Sequence, residues 1–260
     1  MRYSTMYLKN IFFMMKTSKR LKFFFSHLFI SLIIALLVIG LVFFVWYPSP
    51  LATAVGVTQI FLMMLAIDVI VGPVLGLLIY KEAKKNLKFD LSVIITIQIA
   101  ALCYGVFSIE QGRPVWIAYN VDRFELVRKN EVITDHIDQA LAQFQHTSWF
   151  KPQYVAVQFA ADKKQREEDM FAEALGGISI AQKPERYADF AQAKAPIKQR
   201  AQPLALLNDF NDPNVVKMVL AQYPQATAFL PLKANAVDMT VLVNKENGTV
   251  IKIVDLRPWK

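Results

Sequence analysis

Few residues in this 260-residue chain could do chemistry, and they are scattered. The three histidines are His27, His136 and His146. On one helix the last two would lie about 80° out of line, and no cysteine or acid completes a metal-ligand set around them. Asn208-Asp209-Phe210-Asn211-Asp212 carries oxygen ligands like those of a calcium loop. It lacks the glycine and the closing glutamate, and Pro213 stands in the wrong place, so a loop leading into a helix cap explains it better. Lys163, Lys164 and Arg166 precede Glu167, Glu168 and Asp169 at spacings that pair them along one helix. That pattern makes a solvated face rather than a catalytic carboxylate pair. No phosphate loop, dinucleotide fingerprint or nucleophile elbow occurs. These features argue for a protein that is not an enzyme and takes no cofactor or metal.

The polar residues that do invite explanation lie inside apolar sequence. Asp68 stands 12 positions before Tyr80, about 18 Å in from the end of its segment and near the middle of a ~30 Å hydrocarbon layer. A carboxylate at that depth costs roughly 2.5–3.5 kcal/mol on insertion scales, so it should face protein. Pro73 has no N–H for the Val69 carbonyl, which leaves an acceptor in need of a donor. In the next apolar segment Gln98 enters about 10 Å in, level with Gly72-Pro73, and Tyr104 about 20 Å in, level with Asp68. The expected bonds run from Gln98 to the freed carbonyl and from Tyr104 to the Asp68 carboxyl. Gly72 with Gly76, and Ala101 with Gly105, supply small faces for close helix packing. Asp68, Gly72, Pro73, Gly76, Gln98, Ala101, Tyr104 and Gly105 thus form the candidate site. They either hold the helices together or receive a partner's transmembrane helix. A proton pathway would need a second intramembrane acid or base.

The elements that position these residues follow from charge. No Asp, Glu, Lys or Arg occurs from Phe23 through Ile67. That run is too long for one crossing of roughly 20 residues, and Tyr47-Pro48-Ser49-Pro50 supplies the break. The spans are predicted at about 23–46, 54–80 and 91–109, the last with Asp90 as its N-cap. An A-x-A pattern at Ala52-Thr53-Ala54 suggests signal cleavage, but the apolar run before it is longer than a signal core of 7–15 residues. Residues 1–90 hold 10 Lys and Arg against 3 Asp and Glu, and residues 91–260 hold 19 against 18, which together give the net charge of +8. The basic residues flank the apolar segments instead of lining one face, which excludes a nucleic-acid binder. Lys16, Lys19, Arg20 and Lys22 precede the first span, and Lys81, Lys84, Lys85 and Lys88 separate the second from the third. The positive-inside rule then places the N-terminal arm (1–22) and the Lys81–Asp90 loop in the cytoplasm, with residues 110–260 outside it. Met14 or Met15 could serve as the start without altering this topology.

Residues 110–260 suffice for one domain with its own core. Short β-rich runs occur at Val115–Tyr119 and Phe124–Val127, and alternation marks a strand around Tyr154–Phe159. Helical spacing of Ile133, Ile137, Leu141 and Phe144 predicts a helix over 133–144. Lys163–Leu175 reads as a helix stopped by Gly176-Gly177, and Asp212-Pro213 opens another. Residues 180–203 have no clear pattern. Met239–Val243 and Thr249–Val254 flank a turn containing Asn247-Gly248, a strong hairpin signal. That turn accounts for the Asn247-Gly248-Thr249 sequon without a sugar. The fold class is therefore a three-helix transmembrane domain (23–109) followed by a periplasmic α+β domain (110–260) with an antiparallel sheet.

Read in order, the polar positions resemble the TfpX/TfpZ family of type IV pilin accessory proteins, also called fimbrial assembly accessory proteins. The resemblance runs through Trp46-Tyr47-Pro48-x-Pro50-Leu51 and Asp68-x-x-x-Gly72-Pro73-x-Leu75. It continues through Asp90-Leu91, Gln98, Ala101-Leu102-x-Tyr104-Gly105, Arg113-Pro114-Val115 and Asp122-Arg123-Phe124, and ends at Leu256-Arg257-Pro258-Trp259. Gly76 departs from the family pattern, where a threonine is expected. The resemblance implies structural roles for Asp90, Arg113, Pro114, Arg257, Pro258 and Trp259. It also implies a bacterial inner-membrane factor that assists stability or assembly of a cognate major pilin. Two other readings stay open: a regulator of the pilus motor acting through the cytoplasmic loop, and a small polytopic enzyme that modifies pilin.

Overall fold

The computed structural model of the protein describes residues 19–82 and 84–260. Most of the basic arm over 1–22, including Lys16 and the alternative starts Met14 and Met15, lies outside the described residues. The chain forms two compact units: the segment ending at Gly40 with Gln59–Ser108, and Leu41–Thr58 with Ile109–Lys260.

The first unit is built from helices. In chain order the helices are α1 (Lys19–Gly40), a short α2 (Leu51–Val55) that belongs to the second unit, α3 (Val57–Ile79) and α4 (Leu87–Gln111). Among the described residues three stretches are long and apolar enough to cross a membrane: Lys19–Trp46, Val57–Ile79 and Leu87–Gln111. The third starts earlier than the sequence suggests, so Asp90 lies in the first turn of α4 instead of capping it. Its amide donates to the Asn86 carbonyl at 3.1 Å, and its carboxylate pairs with Lys84. A negative charge in the first turn still complements the helix dipole.

The second unit begins where α1 loosens into a π-helix over Leu41–Trp46, with the Tyr47 amide on the Val42 carbonyl at 2.7 Å. Val42, Trp46 and Tyr47 are all buried while Phe44 points out. The Tyr47–Pro50 break occurs as the prolines require. The uncharged link that follows belongs to the sheet's core. Leu51 and Ala54 on α2 pack with Ile117, Leu230 and Val241, and the Ala54 carbonyl accepts from the amides of Ala236 and Val237 at 2.9 and 3.2 Å. Gly56 ends α2 at φ 78°, where a Cβ would come within 2.8 Å of Ala236 Cβ.

The eight strands among the described residues are β1 (Pro114–Asn120), β2 (Arg123–Arg128), β3 (Gln153–Val157), β4 (Tyr187–Ala188), β5 (Gln202–Pro203), β6 (Ala228–Lys233), β7 (Met239–Asn244) and β8 (Thr249–Val254). They form one sheet in the order β4-β3-β1-β2-β6-β7-β8, with β5 also paired to β6. Strands β1, β6 and β7 are buried almost throughout because apolar clusters cover both faces. The α+β class holds, but the sheet is mixed where an antiparallel one was expected. The local pairs β1–β2, β6–β7 and β7–β8 are antiparallel, whereas β3 lies parallel to β1 and β6 parallel to β2. A strand that returns after a long excursion is free to run in the same direction as its neighbour, which a tight hairpin is not.

Helices α5 (Lys163–Gly176), α6 (Lys194–Arg200) and α7 (Pro213–Leu220) complete the unit. Asp162 caps α5 through the Gln165 amide and Gly177 stops it at φ 65°. Asp212 caps α7 through the Asn214 amide at 2.7 Å, with Pro213 in its first turn. The helix expected over 133–144 does not form. Two 3-10 turns stand there, Ile137–Gln139 and Ala142–Phe144, separated by Ala140 and Leu141 in extended conformation. The Ile133 amide donates to the Gln182 carbonyl instead of starting a helix. Ala140 and Phe144 reach the core while Leu141 faces out, so helical spacing here reflects burial by turns. The unpatterned 180–203 region contains β4, α6, β5 and three 3-10 turns; its Ile197 is fully buried.

Candidate functional site

Gln98 of α4 is the hub of the helical unit. Its Nε2 donates to the Asp68 backbone carbonyl of α3 at 3.0 Å and to Ser31 Oγ of α1 at 3.1 Å. Its Oε1, which can only accept, lies 2.9 Å from His27 Nε2, so that ring nitrogen carries the proton. One carboxamide thereby ties three helices together. Gly72 makes this possible: a Cβ there would fall 1.8 Å from Gln98 Oε1. Gly72 stands one turn above Asp68, and its missing side chain opens the Asp68 carbonyl to approach. This corrects the expected bond. Gln98 serves the carbonyl of Asp68, one residue before the one that Pro73 frees.

The small residues pack inward. A Cβ on Gly76 would meet Phe23 of α1 at 2.8 Å, and one on Gly105 would meet Met64 Sδ of α3 at 2.2 Å. Pro73 is buried with them, whereas Ala101 is exposed. Tyr104 is 74% exposed, and its hydroxyl makes no hydrogen bond among the described residues. The expected bond from Tyr104 to the Asp68 carboxyl is absent, because α4 turns that ring away from α3. The Asp68 carboxyl lies instead near the Gln98 carboxamide and the His27 ring.

Between α3 and α4 two adjoining cavities of about 310 and 190 Å³ open to the outside of the helical unit. Asp68, Ile67 and Ala101 line both, Met63 and Leu102 the first, Val71 and Ile97 the second. Its lining is apolar apart from Asp68 and Gln98.

In the sheet unit the family-motif positions anchor structure. The Arg113 side chain is 2% exposed and donates to Glu110 Oε1 at 3.1 Å, while Lys129 Nζ reaches both Glu110 oxygens at 2.8 Å. Pro114 opens β1 beside this cluster. At the other end Trp259 Nε1 donates to Asp238 Oδ2 at 2.7 Å, and Arg257 donates to the Asp238 carbonyl. Asn211 clasps the Arg257 backbone by both amide and carbonyl, and Pro258 lies between these anchors.

Helix α5 is turned inside out. Asp169 is buried against Lys183 Nζ at 2.6 Å and Arg186 Nε at 2.7 Å, while Met170, Phe171 and Leu175 are exposed. Burial alone would push the Asp169 carboxyl up, but hydrogen bonds from Arg186 and Lys183 outweigh it and hold the group below the usual carboxylate range. Among the described residues no three His, Cys, Asp or Glu side chains gather as a metal site would require. His136 and His146 are both exposed.

The family model "Fimbrial assembly protein FimB" matches residues 16–56, which include α1, the proline break and α2. The fimbrial assembly protein of serogroup I from Dichelobacter nodosus is 32% identical over 238 residues, covering 88% of this chain and 92% of that protein. The chain belongs to the fimbrial assembly protein family. The serogroup E1 protein of the same organism is 31% identical over 240 residues with the same coverage, and that of serogroups C1 and C2 is 36% identical over 116 residues, 44% of this chain and 88% of that protein. No solved structure matches.

His27 and Ser31 are hydrogen-bond partners of Gln98 that the sequence did not single out. Their signal was present: two polar residues four apart in an uncharged run lie on one helix face.

Proposed function

We propose that this family member is an inner-membrane accessory factor for type IV pilus biogenesis that binds a cognate major pilin and acts by recognition, not by bond-making. Three apolar helices cross the bilayer with the N-terminus and the Lys-rich loop in the cytoplasm, and the sheet unit lies in the periplasm. The observation that carries the reading is the groove between α3 and α4, lined by apolar side chains with Asp68 and Gln98 as its polar residues. In hydrocarbon an apolar helix gains little by leaving lipid, so a groove that selects one helix needs shape and a polar contact. Gly72 and Gly105 bring the groove's walls together, against Gln98 and Met64, while Asp68 and Ala101 line the space left for a guest and Tyr104 stands exposed on α4. The outward Met170, Phe171 and Leu175 of α5 supply an apolar surface for the pilin head.

The direct test is a cysteine at Ala101 in a Cys103→Ser background, crosslinked in piliated cells. Capture of the major pilin through its N-terminal helix is expected, and Asp68→Leu should abolish capture while leaving the protein at normal abundance. Self-contacts alone, under conditions that preserve pilus assembly, would reject the groove as the binding face. Deleting the gene and comparing pilin level with surface pili then separates pilin stabilisation from assembly.

A further inference from the structure

One surface of the sheet unit carries exposed aromatics at the place where two of the apolar helices end. Trp46 is the last residue of the first candidate span and Gln111 of the third. Tyr47 Oη donates to the Ile109 carbonyl at 2.7 Å, so the two ends are fastened at one level. The Glu110, Arg113 and Lys129 charges gather there too, which marks where hydrocarbon must give way to water. The segment Ser148–Lys151 is fixed at this level. Trp149 stacks on Trp46 with ring centroids 5.2 Å apart and planes 19° apart. Arg113 Nη1 donates to the Phe150 carbonyl at 3.4 Å, and Ser148 Oγ accepts the Phe150 amide at 3.2 Å. Despite this support Trp149 is 58% and Phe150 69% exposed, with Lys151 exposed beside them.

We propose that Trp149-Phe150-Lys151 is an interfacial anchor, seating the sheet unit on the phospholipid layer from which the helices emerge. Tryptophan favours the headgroup level because its ring is apolar and its N–H polar. Phe150 adds apolar area that water would leave unpaid, and Lys151 faces anionic headgroups. The occupant is lipid and not protein because the segment is tied to the exit level of two spans. Such a seat would fix the height and orientation at which the unit meets pilin heads standing on the same bilayer. This inference rests on the membrane-spanning reading.

The test uses the full chain in phosphatidylcholine–phosphatidylglycerol vesicles, with single cysteines in a Cys103→Ser background carrying an environment-sensitive fluorophore. Spin-labelled lipids with the label near the headgroup or deep in the chain act as quenchers. Probes at 149 and 150 should be quenched about twofold or more better by the shallow label than by the deep one, as interfacial residues are. A probe at Phe171, similarly exposed at 65%, should be quenched by neither. A probe at Phe29 on α1, 63% exposed, should be quenched by the deep label. If Phe29 is quenched while 149 and 150 are not, the anchor is refuted and the spans stand. If Phe29 escapes as well, the membrane-spanning reading falls and takes the anchor with it. Lys151→Glu should reduce shallow quenching at 149 only when phosphatidylglycerol is present; an unchanged signal refutes the headgroup contact.

Discussion

The two units solve opposite problems with the same amino acids. The sheet unit buries its large apolar side chains: Trp116, Phe124, Phe229 and Leu230 are inaccessible, and its charges are held near the surface or in paired clusters. In the helical unit Phe29, Leu37 and Ile97 face out, and the interior is organised by a glutamine carboxamide, a serine, a histidine ring and three glycines. Water drives the first arrangement, because apolar area is removed from it at about 25 cal/mol per Å². Lipid offers no such drive between helices, so close backbone approach and a few hydrogen bonds must set the register. Hydrophobicity therefore locates the helices of this protein but does not say which faces meet.

The comparison is most easily broken in the sheet unit. Gly248 stands at φ 71°, and a Cβ there would fall 2.3 Å from the Lys194 carbonyl. Gly248→Val should cost about 3 kcal/mol or more, seen as a large drop in the denaturation midpoint of the sheet unit in the detergent-purified full chain. Asp169→Ala should cost about 2–3 kcal/mol by leaving Lys183 and Arg186 without their buried partner. An acid held below its ordinary value in the fold contributes its stability above that value, here 3.8, and loses it as the pH falls through its folded value. The gap between wild type and Asp169→Ala should therefore be full near neutrality and close as the pH drops below 3.8. A gap independent of pH would mean that packing, not charge, holds α5.

In the helical unit the effects should be smaller. Gln98→Leu removes bonds worth roughly 0.6 kcal/mol each in a membrane interior, about 2 kcal/mol together, measurable as earlier separation of α1 from α3 in an SDS titration. A loss as large as that of Gly248→Val would erase the contrast between the units. A gain is expected at Val121, which sits at φ 56° in the β1–β2 hairpin, a strained value for a β-branched side chain. Val121→Gly should stabilise the sheet unit by about 1 kcal/mol, the relief of strain less the added chain entropy. Smallest of all, Tyr104→Phe should leave helix stability within about 0.3 kcal/mol of wild type, because its exposed hydroxyl has no internal bond to lose. If it weakens pilin crosslinking at Ala101 all the same, Tyr104 belongs to the guest's surface.

Much of this protein was fixed by local chemistry and could be read directly. The uncharged run from Phe23 through Ile67 and the Tyr47–Pro50 break locate the first two spans within a few residues. Asp162 with Gly177, Asp212 with Pro213, and Asn247-Gly248 specify caps and a turn by their own hydrogen bonds and backbone freedom. Depth along a helix was also legible, since 1.5 Å per residue put Gln98 level with Gly72. Azimuth was not. Whether Gln98 or Tyr104 faced α3, and that His27 and Ser31 met the same carboxamide, depended on rotations that only packing fixes. The parallel pairing of β3 with β1, the turns in place of a helix over 133–144, and the burial of Leu51 and Ala54 in the sheet's core are of the same kind. Each rests on contacts between residues distant in sequence, where alternative partners differ little in local preference and the assembled interior alone selects among them.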